Sequence, residues 1–442
     1  MRIPIQIITL FLCIAGELLM LTETRNAFGP FVSPIIHFAC SIGVGISVLM
    51  LRIPGTAALT SQTQVSEPEK QSLFQRYRYL VFAIPFIAAL AFILQSLFAA
   101  HPIDINDPYK SGSDVIPALM FYAKRFLAGE FPYTPIQGTH WHHIVIPNYL
   151  TFQWLPYCIA EAAGFDYRWI PFVFLTAALL VLYFRLGSNE IAQPARLTLF
   201  LFPILILFFW MRNHAPQFQT TVEGLIAAYY LFFAYSLNSK RIGIIALMLT
   251  ICLLSRFSLV LWVPLLLLIL LHERGIKTSF LTGVLTLAGI ALFYGSFLLI
   301  DPTIFSKGMG YYTVAAAGEW IIHDWHNGRY PYVLEQGLGF AIYFYDLPIS
   351  IPAKIDKVRQ LHLSMSLLSV AVLCAIYWCQ RKKIDYRVFA IASFKIYLAV
   401  FYAFIQVPYV YLHLVPLMID IPLLYIVFRS LYPNPNKFQQ LK

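Results

Sequence analysis

Residues 147–164 read PNYLTFQWLPYCIAEAAG, and whether this stretch crosses the membrane decides how the whole chain is arranged. The chain has 442 residues, of which 59% are hydrophobic and only 12% are charged. Apolar runs of about 20 residues recur along it, which excludes a soluble protein and indicates an all-α polytopic membrane protein. Pro147, Pro156, Gln153 and Glu161 interrupt the stretch, and this favours a helix lying along the membrane surface.

The distribution of positive charge supports that placement. If 147–164 stays on the outer surface, thirteen Lys and Arg residues fall in the later short cytoplasmic loops. Only Arg212 and Arg256 then lie in short outer loops, whereas a crossing would invert this bias and break the positive-inside rule. We predict about twelve transmembrane helices with both termini cytoplasmic, and two interfacial helices in the first large outer loop. The predicted spans are 3–22, 31–51, 79–99, 168–187, 195–211, 220–237, 242–255, 257–271, 278–299, 361–380, 387–406 and 409–429.

The predicted organisation has two parts. Residues 1–78 form an N-terminal transmembrane hairpin with a cytoplasmic linker, and residues 79–442 form the main membrane domain. Two outer regions, 100–167 and 300–360, hold the polar and aromatic residues best suited to chemistry. The net charge of +10 fits cytoplasmic loops beside anionic lipid and gives no indication of nucleic-acid binding.

The strongest chemical signal is an acidic, aromatic segment directly after the span at 79–99. Asp104, Asp107 and Asp114 lie where a membrane helix emerges into water, so a carboxylate there could take a proton from one substrate while a lipid substrate stays in the bilayer. Asp114 follows Ser113, a good N-cap, and we expect it at a helix N-terminus whose dipole keeps it ionised. Simple capping is the alternative for Asp114, and an ordinary turn is the alternative for Asp107.

Cationic groups are predicted at the same membrane face. Arg241 and Arg274 both read as cytoplasmic, so the two short helices between them must meet near Ser255 and Arg256 on the outer side. Arg256 is the leading candidate to bind a phosphate, with a structural ion pair as the alternative. His413, at the outer end of the last span, is the second candidate.

Further candidates come from the second outer region. His323, His326 and Arg329 could close over a substrate, or could be structural. The histidines of GTHWHH at 138–143 lack carboxylate or cysteine partners at ligand spacing, so zinc binding has little support and we predict no cofactor.

The first outer loop also carries a family resemblance. Its residues are Asp114, Tyr122-Ala123, Leu127-Ala128-Gly129 and Pro132-Tyr133. This run resembles the first outer loop of the GT-C glycosyltransferases, membrane enzymes that use polyprenyl-phosphate sugars and include protein O-mannosyltransferases and the lipid A aminoarabinose transferase. In that class a second, proline-opened interfacial helix precedes a span that begins near an arginine, and Pro147, Pro156 and Arg168 are similar.

The resemblance implies an inverting glycosyltransferase that moves a sugar from a polyprenyl-phosphate donor to the hydroxyl of a glycan, glycolipid or protein acceptor. With the chemistry above, it implies a base at Asp114 or Asp107. It further implies phosphate binding by Arg256, His413 and Arg329, and substrate contacts from Asp104, Tyr122, His323 and His326. We expect a bacterial inner-membrane protein whose active site faces the periplasm.

Two other functions remain open. A lipid or solute transporter would show broken helices at corresponding positions of two halves and charges in mid-membrane, but only 242–271 looks broken. An O-antigen ligase or polymerase-like enzyme has a similar number of spans, but is marked by arginine and histidine in its late outer loop. A diphosphate-linked oligosaccharide donor would distinguish that enzyme.

The last two predicted spans each carry one charge. Lys395 lies eight residues from Arg387, and Asp420 lies nine residues from Arg429. At roughly 1.5 Å per residue their depths nearly match. Because an unpaired charge inside the bilayer is costly, we expect the two to pair, with a transporter's proton-coupling pair as the alternative.

Overall fold

The protein is described by a computed structural model, and every described residue that belongs to a regular element is helical. Nine of the described helical segments are long and apolar enough to cross a membrane, so the fold is that of a polytopic helical membrane protein. Three of these segments, Phe257–Arg274, Ile276–Ile300 and Val410–Leu431, join shorter elements that are numbered separately below. The described residues are 4–53, 73–105, 107, 113–137, 144–187, 190–322 and 329–433.

The helices are numbered here in chain order. The first ten are α1 Ile5–Met20, α2 Thr24–Met50, α3 Leu73–Ala100, α4 Val115–Leu127, α5 Thr151–Trp154, α6 Tyr157–Ala163, α7 Trp169–Leu186, α8 Gln193–Thr220, α9 Glu223–Ser236 and α10 Ile242–Leu253. The others are α11 Val263–Arg274, α12 Ile276–Ile290, α13 Ser296–Ile300, α14 Ile304–Glu319, α15 Tyr332–Glu335, α16 Ile351–Gln380, α17 Tyr386–Ala403, α18 Leu414–Met418 and α19 Asp420–Leu431.

All twelve predicted spans coincide with helical segments, but their lengths differ. Helices α1, α9 and α10 have 16, 14 and 12 residues. Each is shorter than the roughly 20 residues that a full crossing needs. Nine long helices therefore have the expected length, and the count of twelve crossings stays a prediction.

Helix α10 and the segment Phe257–Arg274, which ends in α11, turn back on each other at Ser255 and Arg256, as the sequence predicts. Extended backbone at Arg256 separates them. At the other end of this hairpin, the Arg274 guanidinium donates to the backbone carbonyl oxygens of Leu237 and Ser239, at 3.2 and 2.7 Å. The start of α10 and the end of α11 therefore lie at the same end of the bundle.

The stretch 147–164 does not form a crossing helix. It holds α5 and α6, which have 4 and 7 residues and are separated near Pro156. The predicted interfacial helix is thus two shorter pieces. The backbone N–H of Phe152 in α5 donates to the Leu254 carbonyl oxygen at 2.9 Å, so α5 lies against the end of α10.

Helices α1 and α2 form the predicted N-terminal hairpin and pack directly on the main domain. Helix α2 runs along α17, and a Cβ placed on Gly45 would lie 3.0 Å from the Ala392 carbonyl oxygen and 2.5 Å from Ile396 Cγ1. Only glycine allows this close approach of two membrane helices. The hairpin and the main domain therefore share one packed core.

Lys395 in α17 is fully buried and binds two carboxylates. Its Nζ lies 2.8 Å from Asp420 Oδ1, as predicted, and 2.8 Å from each carboxylate oxygen of Glu17 in α1. Nζ also donates to the Pro416 carbonyl oxygen at 2.9 Å, and the Ser41 hydroxyl donates to Glu17 at 3.0 Å. The predicted pair is therefore a triad, and sequence reasoning missed Glu17.

Removing part of this triad should destabilise the protein. Lys395→Met leaves two carboxyl groups without their cation, and breaking a buried pair costs about 3–5 kcal/mol. The double change Lys395→Met with Asp420→Leu still leaves Glu17 in an apolar site. Adding Glu17→Leu should therefore raise the melting temperature in detergent above that of the double variant. Equal melting temperatures for the double and triple variants would contradict an energetic role for Glu17.

Candidate functional site

Polar and aromatic side chains from distant segments meet at the end of the bundle where α4, α5 and the Ser255–Arg256 turn lie. We call this end the Asp114 end. The side chains belong to the two predicted outer regions, to the α10–α11 turn and to the segment before α18. We name the group the tyrosine cluster; it consists of Asp114, Tyr149, Arg256, Tyr311, Tyr312, Glu319, Tyr409 and Tyr411.

Asp114 immediately precedes α4 and is exposed. The Val115 backbone N–H donates to the Ser113 hydroxyl at 3.2 Å, whereas Asp114 makes no capping hydrogen bond. The serine therefore caps the helix, and simple capping does not account for Asp114. Its carboxylate lies at a helix N-terminus, as predicted, where the helix dipole favours negative charge.

Tyr122 in α4 positions the neighbouring loop. Its side chain is fully buried and stacks on Trp154, with ring centroids 5.8 Å apart. Its hydroxyl accepts a hydrogen bond from the Tyr149 backbone N–H at 3.2 Å. Tyr122 therefore anchors the loop that carries Tyr149, and its contact with a substrate stays a prediction.

Tyr149 lies between the carboxylate and the guanidinium of the cluster. Burial raises the pKa of its phenol, the nearby Asp114 carboxylate raises that pKa further, and Arg256 lowers it. Both charges must be close to the phenol to act on it. Asp114 and Arg256 therefore both lie near the Tyr149 phenol, although they come from distant segments.

The second outer region packs against the first through α14. A Cβ placed on Gly308 would lie only 3.3 Å from the Cα and Cβ atoms of Asn148, so glycine permits this contact. At the end of α14, Glu319 accepts a hydrogen bond from Tyr409. Burial raises the pKa of the Glu319 carboxyl, and the charge of Asp114 raises it further. Two carboxyl groups with different environments therefore share the cluster.

Tyrosine hydroxyls make up much of the rest of the tyrosine cluster. The rings of Tyr409 and Tyr411 stack with centroids 4.9 Å apart. Tyr312 hydrogen-bonds Gln406, whose side-chain oxygen also accepts from the Arg359 guanidinium at 3.1 Å. Hydroxyl groups donate and accept hydrogen bonds equally well, which suits the hydroxyls of a sugar and the oxygens of a phosphate.

Arg256 is held in an ion pair. Its guanidinium binds both carboxylate oxygens of Glu223, with Nη1 donating to Oε2 at 2.9 Å, and Nη1 also donates to the Tyr402 hydroxyl at 3.3 Å. The Glu223 side chain is only 3% exposed, so the pair is largely shielded from water. The structural alternative for Arg256 is therefore realised, and a phosphate would have to share the guanidinium with Glu223.

His413 lies in the core rather than at the surface. Its side chain is 1% exposed, and its ring centroid is 4.3 Å from that of His37 in α2. His413 is thus buried instead of exposed at the outer end of the last span, and its phosphate contact stays a prediction. The reason is that one helical turn, Val410–His413, carries the chain inside the bundle before α18, where α2 covers it.

The other predicted site residues are not part of the tyrosine cluster. The Asp107 backbone N–H donates to the Asp104 carbonyl oxygen at 3.3 Å, which is the turn that the sequence analysis left open for Asp107. Arg329 is three-quarters exposed, with its guanidinium 3.6 Å from the Asp346 carboxylate. No contact between Arg329 and the cluster is found among the described residues.

The other histidine candidates lie outside the described residues. These are His323, His326 and the histidines of 138–143. Within the part of the chain that the structure describes, no three His, Cys, Asp or Glu side chains form a group that could hold a metal ion.

Arg168, which precedes α7 as predicted, is an anchor. It donates to the Asp166 carboxylate and to the backbone carbonyl oxygens of His101 and Phe98, at 2.7 and 3.0 Å for the carbonyls. It also lines a cavity of about 420 Å³ that none of the cluster residues lines. Because these donors are already used, we assign the cavity no catalytic role.

Sequence reasoning missed Glu223, Glu319 and most of the cluster's tyrosines. Glu223 could have been found, since an acid in a predicted span requires a partner. Comparison with known protein families, curated proteins and solved structures finds no match for this chain. The resemblance to GT-C enzymes therefore rests on the first outer loop.

The contact between the two outer regions can be tested through two glycines of α14. Gly308→Leu should lower the melting temperature, because overpacking against Asn148 costs about 1–3 kcal/mol. Gly310→Leu is the matched control, since a Cβ on Gly310 meets no atom within 4 Å and the helix propensity gained is the same. If both variants melt alike, α14 does not pack on the loop before α5.

Proposed function

We propose that the tyrosine cluster is the active site of a GT-C-like glycosyltransferase that moves a sugar from a polyprenyl phosphate to an acceptor hydroxyl. One observation carries the proposal: Asp114 and Arg256 come from distant segments and both act on the Tyr149 phenol. An exposed carboxylate at the ends of membrane helices is placed where a water-borne hydroxyl can meet a lipid-borne phosphate.

In the proposed reaction Asp114 accepts the proton of the acceptor hydroxyl. The acceptor oxygen then bonds to the anomeric carbon as the bond from that carbon to the phosphate oxygen breaks. The polyprenyl phosphate leaves with the bonding electrons, and the configuration at the anomeric carbon inverts. Charge develops on the sugar ring and on the departing phosphate, so hydrogen-bond donors around both lower the barrier.

The two carboxyl groups fit different roles. Asp114 is exposed, whereas burial raises the pKa of Glu319, so Glu319 keeps a proton to higher pH than an ordinary glutamate. Pairs of acids whose environments differ in this way are how active sites separate a base from a hydrogen-bond donor. We assign the base to Asp114 and a hydrogen bond to the sugar or phosphate to Glu319.

The phosphate contact is assigned to several groups together. Arg256 contributes a guanidinium whose charge is offset by Glu223, and Arg359 contributes a second one next to Gln406. The tyrosine hydroxyls add neutral donors. A leaving lipid phosphate would thus be stabilised by many hydrogen bonds rather than by one free cation.

The orientation follows from the positive-inside rule. Lys240, Arg241 and Arg274 lie at the end of the bundle opposite the α10–α11 turn, and short loops rich in Lys and Arg face the cytoplasm. We therefore place the Asp114 end on the periplasmic or lumenal side and both termini in the cytoplasm. A bacterial inner membrane is the proposed location.

Asp114→Asn should reduce sugar transfer by roughly 10²–10⁴-fold, the usual loss when a general base is removed. The melting temperature should change little, because Asp114 is exposed and asparagine has nearly the same size and shape. The assay follows release of polyprenyl phosphate from polyprenyl-phosphate mannose by the purified protein, with the other polyprenyl-phosphate sugars tried in turn.

Asp301→Asn is the control for Asp114→Asn, since Asp301 is a carboxylate paired with Lys307 that does not belong to the cluster. A wild-type rate in Asp114→Asn with loss in Asp107→Asn would move the base to Asp107. Turnover of a diphosphate-linked oligosaccharide alone would favour the ligase or polymerase-like enzyme.

A transporter is kept as a second candidate because of the buried charges of Glu17, Lys395 and Asp420. Charges in mid-membrane commonly mark ion or substrate pathways. A transporter would move a substrate across the membrane without breaking a glycosidic bond. Substrate movement by Asp114→Asn at the wild-type rate, with no transfer by either protein, would favour this candidate.

A further inference from the structure

The buried triad has an imbalance of charge. Glu17 and Asp420 would carry two negative charges if both were ionised, and Lys395 supplies one positive charge. All three side chains are fully buried. An uncompensated charge in such a place is so costly that a group normally changes its protonation state instead.

The geometry shows where a proton would reside. Asp420 Oδ1 and both carboxylate oxygens of Glu17 each lie 2.8 Å from Lys395 Nζ, so the two carboxyl groups are neighbours in one site. Two carboxylates cannot hydrogen-bond each other unless one of them carries a proton, because both would otherwise be acceptors. Like-charged carboxylates in one site therefore share a single proton, as in acid pairs of enzymes.

The other titratable side chains around the triad are uncharged. His37 from α2 and His413 before α18 both lie close enough to Lys395 for its positive charge to act on their imidazoles. That charge would repel a second cation. The thiols of Cys13 and Cys40 also face Glu17, and a thiol is ordinarily neutral at physiological pH. None of these groups offsets the second carboxylate.

The imidazoles of His37 and His413 provide independent evidence that this region exchanges protons with solvent. Both ring nitrogens of His413 and Nε2 of His37 are buried without a hydrogen-bond partner. Orphaned polar atoms of this kind are rare in proteins and commonly mark a bound water. The ring of His413 also lies 6.2 Å from that of Tyr402, whose hydroxyl accepts from Arg256 at the tyrosine cluster.

From these observations we propose that Glu17 and Asp420 hold one exchangeable proton between them, and that His37 and His413 carry it, through water, to and from the Asp114 end. The site is a proton-binding site inside the membrane. On release, the proton moves from the carboxyl pair to an imidazole nitrogen and then to water, leaving both carboxylates ionised beside Lys395. The proposal holds whichever reaction the tyrosine cluster performs.

Infrared spectroscopy of the purified protein tests the bound proton directly. A protonated carboxyl has a carbonyl stretching band separate from the bands of carboxylates. We expect wild-type protein to show this band and both Asp420→Asn and Glu17→Gln to lose intensity in it. Lys395→Met should gain intensity, because without the ammonium both carboxyl groups take up a proton.

Glu223→Gln is the matched control for the band. Glu223 is also a buried carboxylate, but Arg256 pairs with it one to one. We therefore expect Glu223 to be ionised and its removal to leave the band unchanged. No band in the wild-type protein, or equal bands in the wild type and in Asp420→Asn, would overturn the proposal. The wild-type result does not depend on any variant being folded.

The exchange route is tested by transfer into D2O. The wild-type band should shift as deuterium replaces the proton, and His413→Phe should slow the shift by an order of magnitude or more. His362→Phe is the control, because His362 is a partly buried histidine whose Nε2 is likewise buried without a partner, and its ring packs on Phe401. Equal exchange rates in the wild type and in His413→Phe would overturn the route through the histidines.

Discussion

The structure depends on the rule that a charge inside a membrane must be paired. Lys395 satisfies this rule by binding Glu17 from the first helix and Asp420 from the last. One ammonium group thereby connects the first and the last of the described helices, and α2 runs along α17 next to them. Because α2 then covers the last helices, His413 becomes a core residue. A surface position for His413 would require this packing to open.

The same constraint shapes the Asp114 end. Arg256 lies in the turn between α10 and the segment Phe257–Arg274, and a buried Glu223 neutralises it. The short helices α5 and α6 close against that turn rather than crossing. The polar groups of the tyrosine cluster lie at this end of the bundle, and Asp114 is exposed there. The two polar sites thus lie at different depths. The triad that we propose to hold a proton lies inside the bundle, and the tyrosine cluster lies at the Asp114 end.

Much of this could be predicted from depth and hydropathy. The twelve spans coincide with helices, the turn at Arg256 is where charge parity required it, and the matched depths of Lys395 and Asp420 predicted their contact. The sequence did not predict the ion-pair partners that come from distant segments. Glu17 and Glu223 were missed because periodicity within one helix does not reveal which other helix faces it, although an acid in an apolar run always requires a partner.

The most direct test of the account is a cryo-electron microscopy map of the protein with added polyprenyl phosphate. The account predicts phosphate density at the tyrosine cluster, within hydrogen-bonding distance of tyrosine hydroxyls and between the Asp114 and Arg256 side chains. The lipid chain should then extend from there between the membrane helices. Phosphate density in the cavity beside Arg168, with the tyrosine cluster empty, would contradict the assignment of the active site.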